Sequence, residues 1–336
     1  MDMLPPIIGE DPAFLDVIEQ ASRLAPIDRP CLVVGERGTG KELVAARLHY
    51  LSRRWQGPLV KVNCAALSET LLESELFGHE AGAFTGAQRR HLGRFERAEG
   101  GTLILDEIAN ASQAVQEKVL RVIEYGELER VGGAATLRVD VRVIGVANVD
   151  LPKRAAEGGF RADLLDRLAF DVLTLPPLRA RPGDILALAE AFARAMAGEL
   201  ERPAPAFSPA ARAQLLGHGW PGNVRELRNA SERAVARLPR EAKVIETVVI
   251  DPFASPWCLA SALAALPAVP SPADGASPPE GQPFAAAVAA YEQGLLRRAL
   301  AAAEGNQGKA AQALSLGYHQ FRRLLARHGL GPGAGG

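Results

Sequence analysis

Residues 31–42 read CLVVGERGTGKE: four apolar residues, a run carrying three glycines, then the opening of the stretch KELVAARLHYLSRR. A short apolar run that stops at glycine reads as a buried strand, and the longer periodic stretch after it as a helix. Glycines at such a junction let backbone N–H groups curl around an anion at the helix N-terminus, and Lys41 adds a mobile cation. The spacing of Gly35, Gly40 and Lys41 satisfies G-x-x-x-x-G-K, which makes Gly35, Glu36, Arg37, Gly38, Thr39, Gly40, Lys41 and Glu42 the expected phosphate cradle. Glycines at 35, 38 and 40 do not fit the dinucleotide fingerprint G-x-G-x-x-G. Glu42 stands where a Ser or Thr magnesium ligand usually follows the lysine, so direct hydroxyl coordination is lost there.

Around this junction, short apolar runs alternate with helical ones through residue 175. CLVVG (31–35), PLVKVN (58–63), TLILDE (102–107), VRVIGVAN (141–148) and FDVLTL (170–175) are the candidate strands. Apolar runs separated by helices predict an α/β unit with a parallel five-stranded sheet covered on both faces. From Pro176 to about Val249 the pattern turns helical, as a small lid. The expected organisation is an α/β subdomain over 1–175, a helical lid over 176–253, a linker over 254–283 and an all-α basic unit over 284–331. Six prolines and two charges in residues 266–283 suit an extended linker. With 48% hydrophobic and 23% charged residues, the chain can bury a large core and is not disordered. Its net charge of −1 hides an uneven split. Residues 291–331 carry six Lys and Arg against Glu292 and Glu304, a local +4 that leaves −5 for the remainder. Cys31, Cys64 and Cys258 match neither a zinc pattern nor a disulfide framework. With no signal peptide and no apolar span of membrane length, a cytoplasmic protein without membrane insertion is expected.

GGTLILDE (100–107) is an apolar strand ending in two acids. Asp106 can hold Mg²⁺ and Glu107 can polarise the water that attacks a γ-phosphate, or both can simply cap the strand. Together with the cradle they point to ATP hydrolysis. In GFRADLLDRLAFD (159–171), Arg161 and Arg167 are either charge stabilisers donated to a neighbouring copy or partners of Asp163 and Asp166 in their own chain. In WPGNVREL (220–227), Asn223 reads as a helix N-cap. Arg225 in the first turn opposes the helix dipole, which hints at a ligand. Asn148 and Asn63 close two strands beside the expected crevice, Asn148 to sense the γ-phosphate and Asn63 to orient Glu107, unless both are turn residues. Trp55, between Arg54 and a Gly-Pro turn, is either partly exposed or packed on the sheet edge.

The tail GKAAQALSLGYHQFRRLLARHGL (308–330) parses as helix, turn at Leu316–Gly317, and second helix. Tyr318, His319, Gln320, Arg322 and Arg323 lie near the start of the second helix, the end that enters a DNA major groove. Phe284 to Ala303 is the expected dimerising helix.

GERGTGKE, ELFGHEAGAFTGA, GGTLILDE, FRADLLDRL and WPGNVREL together resemble the bacterial enhancer-binding proteins, AAA+ ATPases that activate the sigma-54 form of RNA polymerase. The resemblance covers about 7–250 and implies a AAA+ P-loop ATPase followed by a Fis-type helix-turn-helix domain. ATP and Mg²⁺ are the implied cofactors, and a hexamer the implied assembly. It makes Lys41, Asp106 and Glu107 catalytic, Asn63 a switch that holds Glu107, Arg161 and Arg167 trans-acting fingers, and Asn148 and Arg225 the two sensors. Gly82, Ala83, Phe84, Thr85, Gly86 and Ala87 become the loop that contacts sigma-54, with Arg130 and Val131 in a supporting loop. Ala147 replaces the Thr that often precedes the sensor Asn. The implied partners are sigma-54 RNA polymerase, enhancer DNA and, at Trp55, an inhibitory phage shock protein A. The ATPase motifs start near the N-terminus, so no receiver domain is expected in front. A DNA-binding repressor with the ATPase fold as scaffold stays open as a second reading, and a AAA+ unfoldase as a third. A scaffold gives no reason to keep the catalytic set together, and the DNA-binding tail with GAFTGA argues against an unfoldase.

Overall fold

The computed structural model describes residues 7–253, 284–303 and 305–330. The chain divides into two compact units, Met1–Pro252 and Phe253–Gly336. The linker at 254–283 and Cys258 lie outside the described residues.

The first unit opens with α1 (Pro12–Leu24), whose start is set by Pro12 in the first turn and by the Asp11 carboxylate accepting from the Ala13 N–H. Then follow β1 (Cys31–Val34), α2 (Lys41–Tyr50), β2 (Leu59–Asn63), α3 (Glu69–Phe77), the antiparallel pair β3 (Gly78–His79) and β4 (His91–Leu92), α4 (Arg94–Arg97) and β5 (Thr102–Asp106). Helix α5 (Gln113–Tyr125) is capped by Ser112 and stopped by Gly126 in the left-handed region. Next come the antiparallel pair β6 (Glu127–Glu129) and β7 (Thr136–Arg138), β8 (Arg142–Ala147), α6 (Leu151–Ala156), α7 (Ala162–Leu168) and β9 (Val172–Thr174).

All five expected strands form one sheet, ordered β2-β5-β8-β1-β9 and parallel throughout. Alternate residues serve opposite faces. Leu32, Leu103, Leu105 and Val143 join one apolar core with α3, α5 and α7. Cys31, Val33, Ile104, Ile144 and Val146 join the other, under α1 and α2. Burial on both faces is why the central runs β1, β5 and β8 look almost uniformly apolar in sequence, whereas the edge strands β2 and β9 expose Lys61 and Val172.

The lid contains α8 (Pro182–Glu199), β10 (Ala206–Phe207), α9 (Pro209–Gly217), α10 (Asn223–Arg237) and β11 (Val244–Ile245), around its own core with Trp220 at the centre. It is helical except for the two-residue parallel pairing of β10 with β11. The second unit packs α11 (Phe284–Ala302), α12 (Gln307–Ala313) and α13 (Tyr318–Arg327) around Leu296, Ala310, Ala311, Phe321 and Leu325. Among the described residues, no helix is long and apolar enough to cross a membrane.

Candidate nucleotide site and its outlying loops

Parallel strands place their C-terminal ends along one edge of the sheet, and loops there form the usual ligand crevice. Gly35 follows β1, Asn63 ends β2, Asp106 ends β5 and Asn148 follows β8. A cleft of about 370 Å³ at this edge is lined by Arg37, Gly38, Gly40, Lys41, Glu42, Asn63, Asp106, Glu107 and Asn148, with Arg225 and Arg228 from the lid. The structure therefore brings Arg37, Gly38, Gly40, Lys41 and Glu42 of the cradle, the strand-end acids and the two proposed sensors around one space, while Gly35, Glu36 and Thr39 do not line it. The Lys41 Nζ donates to the carbonyls of Gly35 (2.8 Å) and Glu36 (2.9 Å), which holds it at the loop's centre. Burial pushes the Lys41 ammonium below its usual range, against the pull of Asp106 and Glu107.

Burial, with the charges of Glu42 and Glu107 beside it, pushes the Asp106 carboxyl up. Three acids around a lysine leave room for further positive charge. Magnesium binds through one or two carboxylates together with phosphate oxygens, so this donor set fits Mg²⁺ delivered with a nucleotide. Among the described residues, no three His, Cys, Asp or Glu side chains form a metal cage by themselves. Glu107 has φ +52° and ψ 41°, a left-handed conformation that costs a non-glycine residue about 1 kcal/mol or more.

Asn63 differs from expectation. Its Nδ2 donates to Asp106 Oδ2 at 3.0 Å, not to Glu107. The register of β2 on β5 sets Asn63 directly beside Asp106, while Glu107 lies one residue past the strand and accepts from Asn110 at 3.3 Å.

Arg161 and Arg167 do not line the cleft of their own chain. Arg161 precedes α7 and pairs with Asp163 (2.7 Å) and Glu117 (3.6 Å). Arg167 pairs with Glu124 at 2.6 Å rather than with Asp166, and its side chain is 61% exposed.

The GAFTGA segment is a surface loop between β3 and β4, closed by Gly82 N–H to Ala87 C=O (2.7 Å) and Ala87 N–H to Phe84 C=O (3.0 Å). Gly82 and Gly86 have φ +84° and +103°, so these turns require glycine. Phe84 is half-buried, its ring 4.9 Å from that of His79, whose Nδ1 meets the Ser74 hydroxyl at 2.7 Å; Thr85 is exposed. Arg130, expected in a sigma-54-contacting set, points inward and is only 7% exposed. It holds both oxygens of Glu96 along one guanidinium edge, through Nε and Nη2, and its Nη1 donates to Glu80 at 2.7 Å. The carboxylates of Glu80 and Glu96 draw it in, so its side chain supports the loop rather than presenting itself. Val131 bonds the same root, donating to Gly78 C=O (3.0 Å) and accepting from Glu80 N–H (3.1 Å).

Trp55 is 50% exposed just after α2, next to Arg54, which is tied to Asp28 and Asp140. On α13, Tyr318, His319, Gln320, Arg322 and Arg323 are all exposed, while Phe321 turns into the core.

Sequence reasoning missed an apolar pocket of about 100 Å³ between Ile7, Ile8, Phe14 and Leu188, which shares Gly40, Leu43, Phe192 and Val224 with the cleft. Ile7, Ile8, Phe14 and Leu188 come from distant parts of the first unit and belong to no local motif. Sequence reasoning also missed Arg179 and Arg181, which reach the cradle from the lid side.

Residues 7–174 match the family model of the sigma-54 interaction domain, and residues 179–252 that of a AAA+ ATPase lid domain. The chain is 55% identical to the Psp operon transcriptional activator of Escherichia coli K12, over 96% of this chain and 97% of that one. It is 42% identical to the transcriptional regulatory protein FlbD of Caulobacter vibrioides, over 96% of this chain and 70% of that one. The crystal structure of NtrX from Brucella abortus in complex with ATP superposes with a TM-score of 0.67 at 32% identity, covering 96% of this chain and 70% of that one. With a P-loop sheet, a helical lid and the GAFTGA loop in one unit, the chain belongs to the sigma-54-dependent, enhancer-binding AAA+ transcriptional activators.

Proposed function

We propose that this activator binds ATP with Mg²⁺ in the cleft, hydrolyses it between adjoining copies of a hexameric ring, and drives the Gly82–Ala87 loop against sigma-54 RNA polymerase. The polymerase passes from closed to open complexes while the C-terminal unit, as a Fis-type helix-turn-helix dimer, holds upstream enhancer DNA. The observation that carries this reading is the gathering of Lys41, Asp106, Glu107, Asn148 and Arg225 around one cleft. The N–H groups of Gly38 to Lys41 and the Lys41 ammonium hold the phosphates. The apolar pocket beside Gly40 accepts a flat base. When bound, Mg²⁺ neutralises charge on the β- and γ-phosphates. Asp106 holds it, Asn63 orients Asp106, and Glu107 polarises the water that attacks γ-phosphorus as the bond to ADP breaks. Arg161 and Arg167, which lie outside their own cleft, serve a neighbour's in this reading.

The half-exposed Trp55 is the proposed contact for an inhibitory partner of the phage shock protein A type, with phage-shock stress promoters as targets. The test is ATP turnover by purified protein together with sigma-54-dependent open-complex formation. Phe84→Ala is expected to keep the first and lose the second; full transcription by that variant refutes the coupling.

A further inference from the structure

The lid grips the outer edge of the phosphate loop, and one side chain makes much of that grip. Asn223, the first residue of α10, is fully buried. Its Nδ2 donates to Glu36 Oε2 (3.1 Å) and to the Arg37 carbonyl (3.0 Å), and its Oδ1 accepts from the Leu178 N–H (2.8 Å). A side-chain amide offers one carbonyl and two N–H groups, so both of its functions are engaged here. The backbone at φ +52° also favours asparagine over most other side chains. Two arginines reinforce the contact: Arg179 donates to the same Glu36 carboxylate at 2.7 Å, and Arg181 to the Thr39 carbonyl at 2.9 Å. Gly38 runs so close beneath the lid that a Cβ there would lie 2.4 Å from the Gly222 carbonyl oxygen. Glu36 itself does not line the cleft, whereas Arg225, two residues beyond Asn223 on the same helical turn, does.

We infer that Asn223 is a positioning residue of the ATPase, clamping the first turn of α10 to Glu36 and Arg37 and thereby setting Arg225 over the phosphates. The inference rests on the ATPase reading above. The phosphate loop then presents two sides: its inner N–H groups take the nucleotide, and its outer edge carries the lid. A nucleotide that settles the inner side fixes the outer edge as well, and Asn223 passes that order to the helix bearing Arg225.

The test is steady-state ATP hydrolysis by the full chain. Asn223→Asp keeps the acceptor for Leu178 but turns an oxygen toward Glu36 and the Arg37 carbonyl. KM for ATP is expected to rise about tenfold, the scale of a buried hydrogen-bonding group left without its complement. Adding Glu36→Gln supplies a donor to the new carboxylate and should return KM to within about threefold of the unmodified protein. In an Arg225→Ala background, Asn223→Asp should change KM by less than about twofold, because it acts through that arginine. If Asn223→Asp fails to fold, Glu36→Ala alone replaces it, with an expected rise of about threefold or more. An unchanged KM in a folded variant, no rescue by Glu36→Gln, or full additivity with Arg225→Ala overturns the assignment. An unmodified protein that does not turn over ATP sinks the functional reading instead, and the same variants are then judged by the same pattern in the Kd for ATP.

Discussion

Replacing Arg130 by alanine strips the partner from two carboxylates at once. Arg130 is 7% exposed, Glu96 15% and Glu80 37%. Removing one member of a fully buried pair costs about 3–5 kcal/mol; water reaches Glu96 in part and relieves some of that, and the wetter Glu80 contact adds little, so a loss of about 2–4 kcal/mol is expected. For a unit of this size that corresponds to a Tm lower by about 10 °C. The pH dependence gives an independent check. Burial pushes the Glu96 carboxyl up, but the Arg130 hydrogen bond and the Gly93 N–H outweigh it, so it lies below its usual 4.5. In the unmodified protein this contribution is full above pH 4.5 and fades as pH falls through the lower folded value. In Arg130→Ala the guanidinium is gone, burial opposes the charge with less to offset it, and the variant is penalised most at neutral pH. Thermal melts from pH 7 to about 4 should therefore show the two proteins converging. Adding Glu96→Gln should recover about half of the loss. A Tm drop under about 2 °C, or a gap that does not change with pH, refutes the clasp.

Lys41→Ala should abolish nucleotide binding, read by calorimetry with ATP. Glu107→Gln should keep ATP binding and lower turnover by about 100-fold or more, the scale of general-base loss. Mixing Glu107→Gln protein with Arg167→Ala protein should restore part of the turnover that neither has alone, because one copy then supplies the acid and its neighbour the arginine. In the C-terminal unit, replacing Arg322 and Arg323 by alanine should weaken enhancer binding and flatten its salt dependence by about one unit of slope per lost phosphate contact.

The middle of the sheet was legible because β1, β5 and β8 are apolar runs buried on both faces, while the edge strands β2 and β9, with Lys61 and Val172 exposed, were read from short runs between helices. The short pairs β3–β4, β6–β7 and β10–β11 were not legible, since two or three residues carry no period. Among the site residues, the cradle and Asp106–Glu107 stood out through local motifs. Asn223 did not. It reads locally as an N-cap, yet its amide is spent on Glu36, 187 positions upstream, and only the fold brings the two together. Arg130 was placed by the resemblance alone, in a supporting loop; that its guanidinium turns inward depends on Glu80 and Glu96, 50 and 34 positions away in the chain. Asn63 was one position off, because parallel register and not proximity in sequence selects its partner.

The inward-pointing guanidinium at 130 also sets a length. With Glu80 and Glu96 both tied to it, the chain between Glu80 and His91 is the part left to pay out. Doubled back on itself and fully stretched, that leash extends under about 20 Å. Any polymerase it touches must be brought within that radius by other tethers, and each pair of residues inserted lengthens the throw by only about 3 Å.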